Sequence, residues 1–169
     1  MPTDMIWIEY NGFIIGPLDS PPVSTELPYR TGLVAAAQFE PAGGAVVVTG
    51  IKDDQIRVTA ELLTAEPAIV LDVWEDVAVV GIDWPGGVMR VIGADVIPPS
   101  VMPFTGELPP GPMMVLVAGR NRDAGEQRGD DDPIEEYLIN VWPGEEPDRM
   151  PKATSRVGAI WRDATPPPA

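Results

Sequence analysis

Ten acidic residues lie between positions 123 and 148: Asp123, Glu126, Asp130, Asp131, Asp132, Glu135, Glu136, Glu145, Glu146 and Asp148, with Arg128 the only base among them. They put a net charge of −9 on 26 residues, more than half of the chain's −15. Like charges at this density repel one another and oppose folding, and a function would explain why they are tolerated. Three roles suit such carboxylates: docking a basic macromolecule, holding a cation, or serving as a solvated linker with no partner. A docking surface would be built from Asp123, Glu126, Asp130, Asp131, Asp132, Glu135 and Glu136. For a cation, Asp130-Asp131-Asp132 offers hard oxygen ligands. However, the spacing D-x-[DN]-x-[DN]-G with a later Glu is absent, and consecutive acids cannot easily face one ion. No metal centre and no cofactor is expected.

The missing residue types narrow the chemistry further. With no Cys there is no thiolate nucleophile, disulfide framework or zinc-thiolate site. With no His there is no Ser-His-Asp triad and no imidazole acid or base. Any two of the 26 acids could meet as a glycosidase pair, with Trp7, Trp74, Trp84, Trp142 and Trp161 lining a sugar cleft. Tryptophans in a domain of this size are more often core or partly buried residues. The phosphate-cradling loops G-x-x-x-x-G-K-[ST] and G-x-G-x-x-G and the G-x-S-x-G elbow are all absent. A non-catalytic chain is the expectation.

The whole-chain charge of −15 and pI near 4.1 repel phosphate backbones and anionic lipid, so nucleic acid and membrane are poor partners. A basic protein is the complementary one. No basic segment followed by an apolar stretch opens the chain, and no apolar run approaches the roughly 18 residues of a membrane helix. A cytoplasmic location is expected.

The elements that must position these acids read as short strands. Ile6, Ile8 and Tyr10 alternate with Trp7 and Glu9, and Asn11-Gly12 marks a tight turn into Phe13-Ile14-Ile15. Residues 16–31 read as a long loop, and Leu33 to Phe39 suits either a strand or a short helix. Ala45 to Val48 is a strand-forming run. Ile56, Val58, Ala60 and Leu62 alternate with Arg57, Thr59 and Glu61, as in a half-buried strand. The runs 77–82 and 88–92, joined by Asp83-Trp84-Pro85-Gly86-Gly87, predict a hairpin. A Pro-rich connection at 98–112 leads to a strand over Met113–Ala118. A last one, Glu135 to Trp142, is apolar on both faces and therefore central. Val157 to Trp161 is expected to dock on the body.

This pattern predicts an all-β chain: a two-sheet, jelly-roll-like β-sandwich over residues 1–162, with Pro/Gly-rich loops, little helix and a frayed Pro-rich tail at 163–169.

The order of Ile8-Glu9-Tyr10-Asn11-Gly12-Phe13, Asp19-Ser20-Pro21-Pro22, Gly32 to Ala37, Leu108-Pro109-Pro110-Gly111 and Glu136-Tyr137-Leu138-Ile139 resembles the competence-protein-J family, which includes a nuclease inhibitor. It is also similar to actinobacterial proteins with a YLINVWP-type late strand, and two Lys against nine Arg suit a high-GC genome. The resemblance implies a small acidic β-protein that masks a nuclease by protein contact, although the acidic loop at 123–136 departs from that pattern. Two functions follow. One is an inhibitor or immunity-type module that masks a basic nuclease or toxin. The other is a small-ligand or carbohydrate-binding sandwich, calcium-dependent if the loop carboxylates hold an ion.

Overall fold

The computed structural model describes residues 2–17, 30–38, 43–94 and 100–164. The expected loop around Asp19-Ser20-Pro21-Pro22 and the tail from Thr165 lie outside the described residues. The strands are β1 (Thr3–Ile8), β2 (Gly12–Gly16), β3 (Val34–Gln38), β4 (Gly43–Val48), β5 (Asp54–Leu62), β6 (Asp76–Trp84), β7 (Gly87–Ile92), β8 (Val101–Leu108), β9 (Gly111–Arg120), β10 (Glu136–Pro143) and β11 (Arg149–Ala153). One helix, α1 (Arg156–Asp163), follows them. Two sheets, ordered β1-β5-β10-β9-β6-β11 and β3-β4-β2-β7-β8, pack face to face as a β-sandwich.

Alternation explains the outer strands and its absence explains the inner ones. In β5, Ile56, Val58 and Ala60 are buried while Arg57 is exposed, so one face meets the core and the other meets water. In β9, every residue from Met113 to Gly119 is buried. Its inner residues Met113, Val115 and Val117 join the inter-sheet core. Its outer residues Met114, Leu116 and Ala118 pack with Val77, Val79 and Trp142 beneath Leu63, Ile69, Leu71 and Trp74. The segment 63–75 thus covers the outer face of the large sheet. β10 lies between β5, to which it is parallel, and β9, to which it is antiparallel. Tyr137, Ile139 and Val141 face inward as the sequence predicts, with Leu138 and Trp142 on the outer face.

The predicted 77–92 hairpin does not form. β6 pairs with β9 and β11, whereas β7 pairs with β2 and β8 in the opposite sheet. Gly86 and Gly87 adopt φ of 99° and 96°, and with Pro85 they carry the chain across the sandwich instead of folding it back. Buried Trp84 pins the corner by donating from Nε1 to the Gly87 carbonyl at 3.3 Å.

A similar division follows Ile8. Tyr10 and Asn11 have φ of 56° and 60°, the signature of a type I′ turn, yet Glu9 and Gly12 form one isolated bridge. The chain then splits between sheets. Leu33 to Phe39 resolves as a strand over Val34–Gln38, with Phe39 outside the described residues. The connection at 98–112 contains a strand, β8, whose Pro103 is tolerated because β8 is a sheet edge. The docked C-terminal segment is the helix α1, and Asp163 is its last residue and not the start of a frayed tail. No helix among the described residues is long and apolar enough to cross a membrane.

Candidate functional site

In the β10–β9 register Glu136 lies opposite Arg120 and Pro143 opposite Met113. Residues 121–135 therefore cross one end of the sandwich, and Gly144 onward emerges at the other. Eight strand residues span about 26 Å. β10 thus divides the acidic stretch, carrying Glu145, Glu146 and Asp148 away from the 123–136 loop.

The loop end is organised around Arg122, which is fully buried. Its Nε donates to the Tyr137 hydroxyl at 3.3 Å, and its Nη1 donates to Asp76 Oδ2 at 2.5 Å and Ser155 Oγ at 3.3 Å. Its Nη2 donates to the Gly32 and Val48 carbonyls at 3.0 and 2.9 Å. All five N–H groups of the guanidinium are engaged, which is what makes a buried cation tolerable. Burial alone would raise the Asp76 carboxyl; the Ser155 hydroxyl and the Arg122 charge outweigh it and hold it below its ordinary 3.8. Burial likewise opposes the charge on Arg122, and the Tyr137 and Asp76 oxygens outweigh it and raise that group. Burial pushes the Tyr137 phenol up. The cluster joins both sheets and α1, and its groups are engaged with one another.

The seven predicted docking residues have different environments. Asp123 caps α1, accepting from the backbone N–H groups of Arg156 at 3.0 Å and Val157 at 2.9 Å. The side chain of Glu126 lies outside the described residues. Asp130, Asp131 and Asp132 form an exposed tip, with Asp132 accepting from the Gly129 N–H at 2.8 Å. Glu136 is paired to Arg57 at 2.8 Å and to Arg120 at 2.7 Å. Arg120 in turn stacks over Trp74 at 4.9 Å. Glu135 is 1% exposed, so it presents no charge to a partner. Its Oε1 accepts from the N–H groups of Gly50 at 2.7 Å and Ile51 at 3.2 Å. Burial pushes its carboxyl from 4.5 up to about 7, against the opposing pull of those N–H groups and of Arg122 and Arg128.

The tip therefore stands on a braced base. Arg128 Nη2 donates to Asp54 at 3.0 Å, and Asn121 Nδ2 donates to the Ile134 carbonyl at 2.9 Å. Asp130 and Asp131 have no hydrogen bond or ion pair among the described residues. No group of three or more Asp or Glu among the described residues is placed to hold a metal ion.

At the opposite end is an apolar cleft of about 630 Å³, lined by Leu62, Leu63, Leu108, Met113 and the prolines 109, 110, 112 and 143. Beside it a polar cleft of about 690 Å³ includes Asp83, Trp84, Glu145 and Glu146. Trp7 is 46% exposed on an edge strand, Trp142 is buried, and Trp74 lies under Arg120. Trp74 and Trp142 belong to the same apolar cluster on the outer face of the large sheet, and Trp84 is buried.

The sequence reading missed Arg122, Asp76 and Ser155. Each stands at the end of an apolar run or before a helix, and only the β6–β9 register brings the first two together. No protein-family model and no curated protein sequence matches the chain, so the expected kinship with the competence-protein-J family finds no support there. Among solved structures, crocagin biosynthetic gene J is similar at 15% identity with a TM-score of 0.46, covering 86% of this chain and 100% of that one.

Proposed function

We propose that this chain is a non-catalytic binding module that presents the Asp130–Asp132 tip to a basic protein, as an inhibitor or immunity-type protein does toward a nuclease or toxin. One observation carries the reading: three adjacent exposed carboxylates stand on a loop whose root is fixed by Asn121, Arg128 and Glu135. A braced tip costs little ordering entropy on binding, and its potential steers a cationic partner before contact. The experiment is a pull-down from the source lysate, eluted with high salt, followed by association rates of the recovered basic partner. Replacing Asp130, Asp131 and Asp132 by Asn should slow association about tenfold or more at low salt, with the difference shrinking as salt rises. Equal rates for both proteins at low salt would reduce the tip to a solvated linker.

A second reading, binding of a small apolar ligand, is favoured by the 630 Å³ cleft at the other end. An apolar fluorescent probe displaced by Leu63→Asp, with the tip intact, would support it.

A further inference from the structure

The two clefts at the end of the sandwich opposite the acidic loop share Pro112, Met113 and Gly144. The first, of about 630 Å³, has no charged residue in its described lining. The second, of about 690 Å³, has Asp83, Glu145 and Glu146 and no base among its described lining residues. Glu145 and Glu146 belong to the part of the acidic stretch that β10 carries away from the 123–136 loop, and docking at the tip gives them no role.

The segment that bears them is held in place. The Gly144 N–H donates to the Pro112 carbonyl at 3.3 Å, and the Glu146 N–H donates to the Met114 sulfur at 3.4 Å. Asp148 Oδ1 accepts from the Gly81 N–H at 2.9 Å. In the β6–β9 register Asp83 lies opposite Pro112, so it flanks the same wall from β6. Gly43 on β4 comes so near that a Cβ there would collide with the Asp83 carbonyl, and the two sheets meet beside the second cleft. Glu146 shares its charge with Arg149 at 3.3 Å. The carboxylates of Asp83 and Glu145 are exposed and have no hydrogen bond or ion pair among the described residues.

We propose that the two clefts form one bipartite site for a small organic cation: an apolar ring or alkyl body seated among Leu62, Leu63, Leu108 and Met113, with a primary ammonium on a short arm set against Asp83 and Glu145. This rests on the apolar-ligand reading and names the class of ligand. Charge complementarity selects it. An anion would meet three carboxylates and no base, and a neutral apolar molecule would leave the second cleft to water. The volumes suit a ligand of drug-like size. Adjacent strands lie about 4.8 Å apart, so an arm of a few carbons passes from the first cleft across β9 to Asp83. Prolines 109, 110, 112 and 143 fix the backbone around the apolar cleft, so little ordering entropy is lost when a ligand enters.

The test is fluorescence titration at about pH 7 and low salt with two probes: dansylcadaverine, whose amine is charged at this pH, and its counterpart bearing a hydroxyl in place of the ammonium. The wild-type chain should bind the amine about threefold to tenfold more tightly, and the preference should shrink as salt rises. Asp83→Asn combined with Glu145→Gln should bring the two probes within about 1.5-fold of each other. Both side chains are exposed, so the double change leaves the core untouched. Replacing Asp130, Asp131 and Asp132 by Asn removes charge from the far end and should keep the preference. A preference that persists in the double variant, or that the tip variant loses equally, overturns the proposal. Saturable binding of both probes with equal affinity to the wild-type chain sinks the cation and leaves the apolar-ligand reading standing. No saturable binding of either probe sinks both.

Discussion

Arg122 and Asp76 form an ion pair in which neither side chain reaches solvent, with Nη1 2.5 Å from Oδ2. Ser155 completes it by donating its hydroxyl to the same carboxylate oxygen while accepting from the Gly158 N–H at the start of α1. Through Gly32 and Val48 the guanidinium also reaches backbone on the small-sheet side. A buried pair of this kind is a weak source of net stability but a costly thing to break, because the surviving charge is left buried without its counter-ion. Arg122→Met should lower the unfolding free energy by about 3–5 kcal/mol in urea titrations. Adding Asp76→Leu should return part of that loss. Additive losses would mean that the two groups are not coupled.

These residues also show what the sequence makes legible. The faces of β10 were readable because Tyr137, Ile139 and Val141 alternate with Leu138 and Trp142, a local property of the chain. The partner of β6 was not readable. A run apolar on both faces specifies burial and leaves open which strand pairs with it, and Pro85-Gly86-Gly87 resembles a hairpin loop as much as a corner. β8 was hidden by Pro103 and Gly106, which look like loop residues unless the strand is known to be an edge. At the site, Glu135 and Glu136 are indistinguishable in sequence. One is buried under the β4–β5 turn and the other lies between two arginines, because successive residues leave the backbone on opposite sides.

Stability should have opposing pH limbs. Glu135 has a raised folded value, so its contribution is fully present below 4.5 and is lost as pH rises to about 7, up to about 3 kcal/mol. Asp76 has a lowered folded value, so its contribution is present above 3.8 and is lost as pH falls further. Denaturant midpoints across pH should therefore peak on the acid side of neutrality, and Glu135→Gln should flatten the limb between about 4.5 and 7. A stability maximum above pH 8 in the wild-type chain would contradict this assignment.

Tyr10 holds φ of 56° while 84% of its surface is exposed. A bulky side chain in the left-handed region is strained, and here little packing offsets it. Asn tolerates that region and is favoured at the first centre of a type I′ turn. Tyr10→Asn should stabilise the chain by about 0.5–1 kcal/mol in thermal or urea unfolding. A loss of stability would reveal a packing role for the ring.

Ile139 and Val141 sit in the middle of β10, both fully buried between the sheets. Replacing either by Ala removes apolar contact and leaves a void that the flanking β5 and β9 cannot close without moving. Ile139→Ala should cost about 2–4 kcal/mol and Val141→Ala somewhat less. Negligible losses at both would place them outside the core.

Asp123 separates the structural role of an acid from a docking role. It sits at the start of the acidic loop, but its carboxylate accepts the first two free N–H groups of α1, from Arg156 and Val157. Ser155 takes the N–H of Gly158, so the two side chains together satisfy three of the helix's unpaired donors. A negative charge there also suits the positive end of the helix dipole. Asp123→Ala should therefore cost about 1 kcal/mol, with faster amide exchange confined to α1. Asp123→Asn keeps one acceptor oxygen and should lose only part of this. A docking residue would behave differently: Ala and Asn would slow association with a basic partner equally, since both remove the charge. If both variants leave α1 fully protected and slow association alike, the carboxylate belongs to the binding surface and not to the cap.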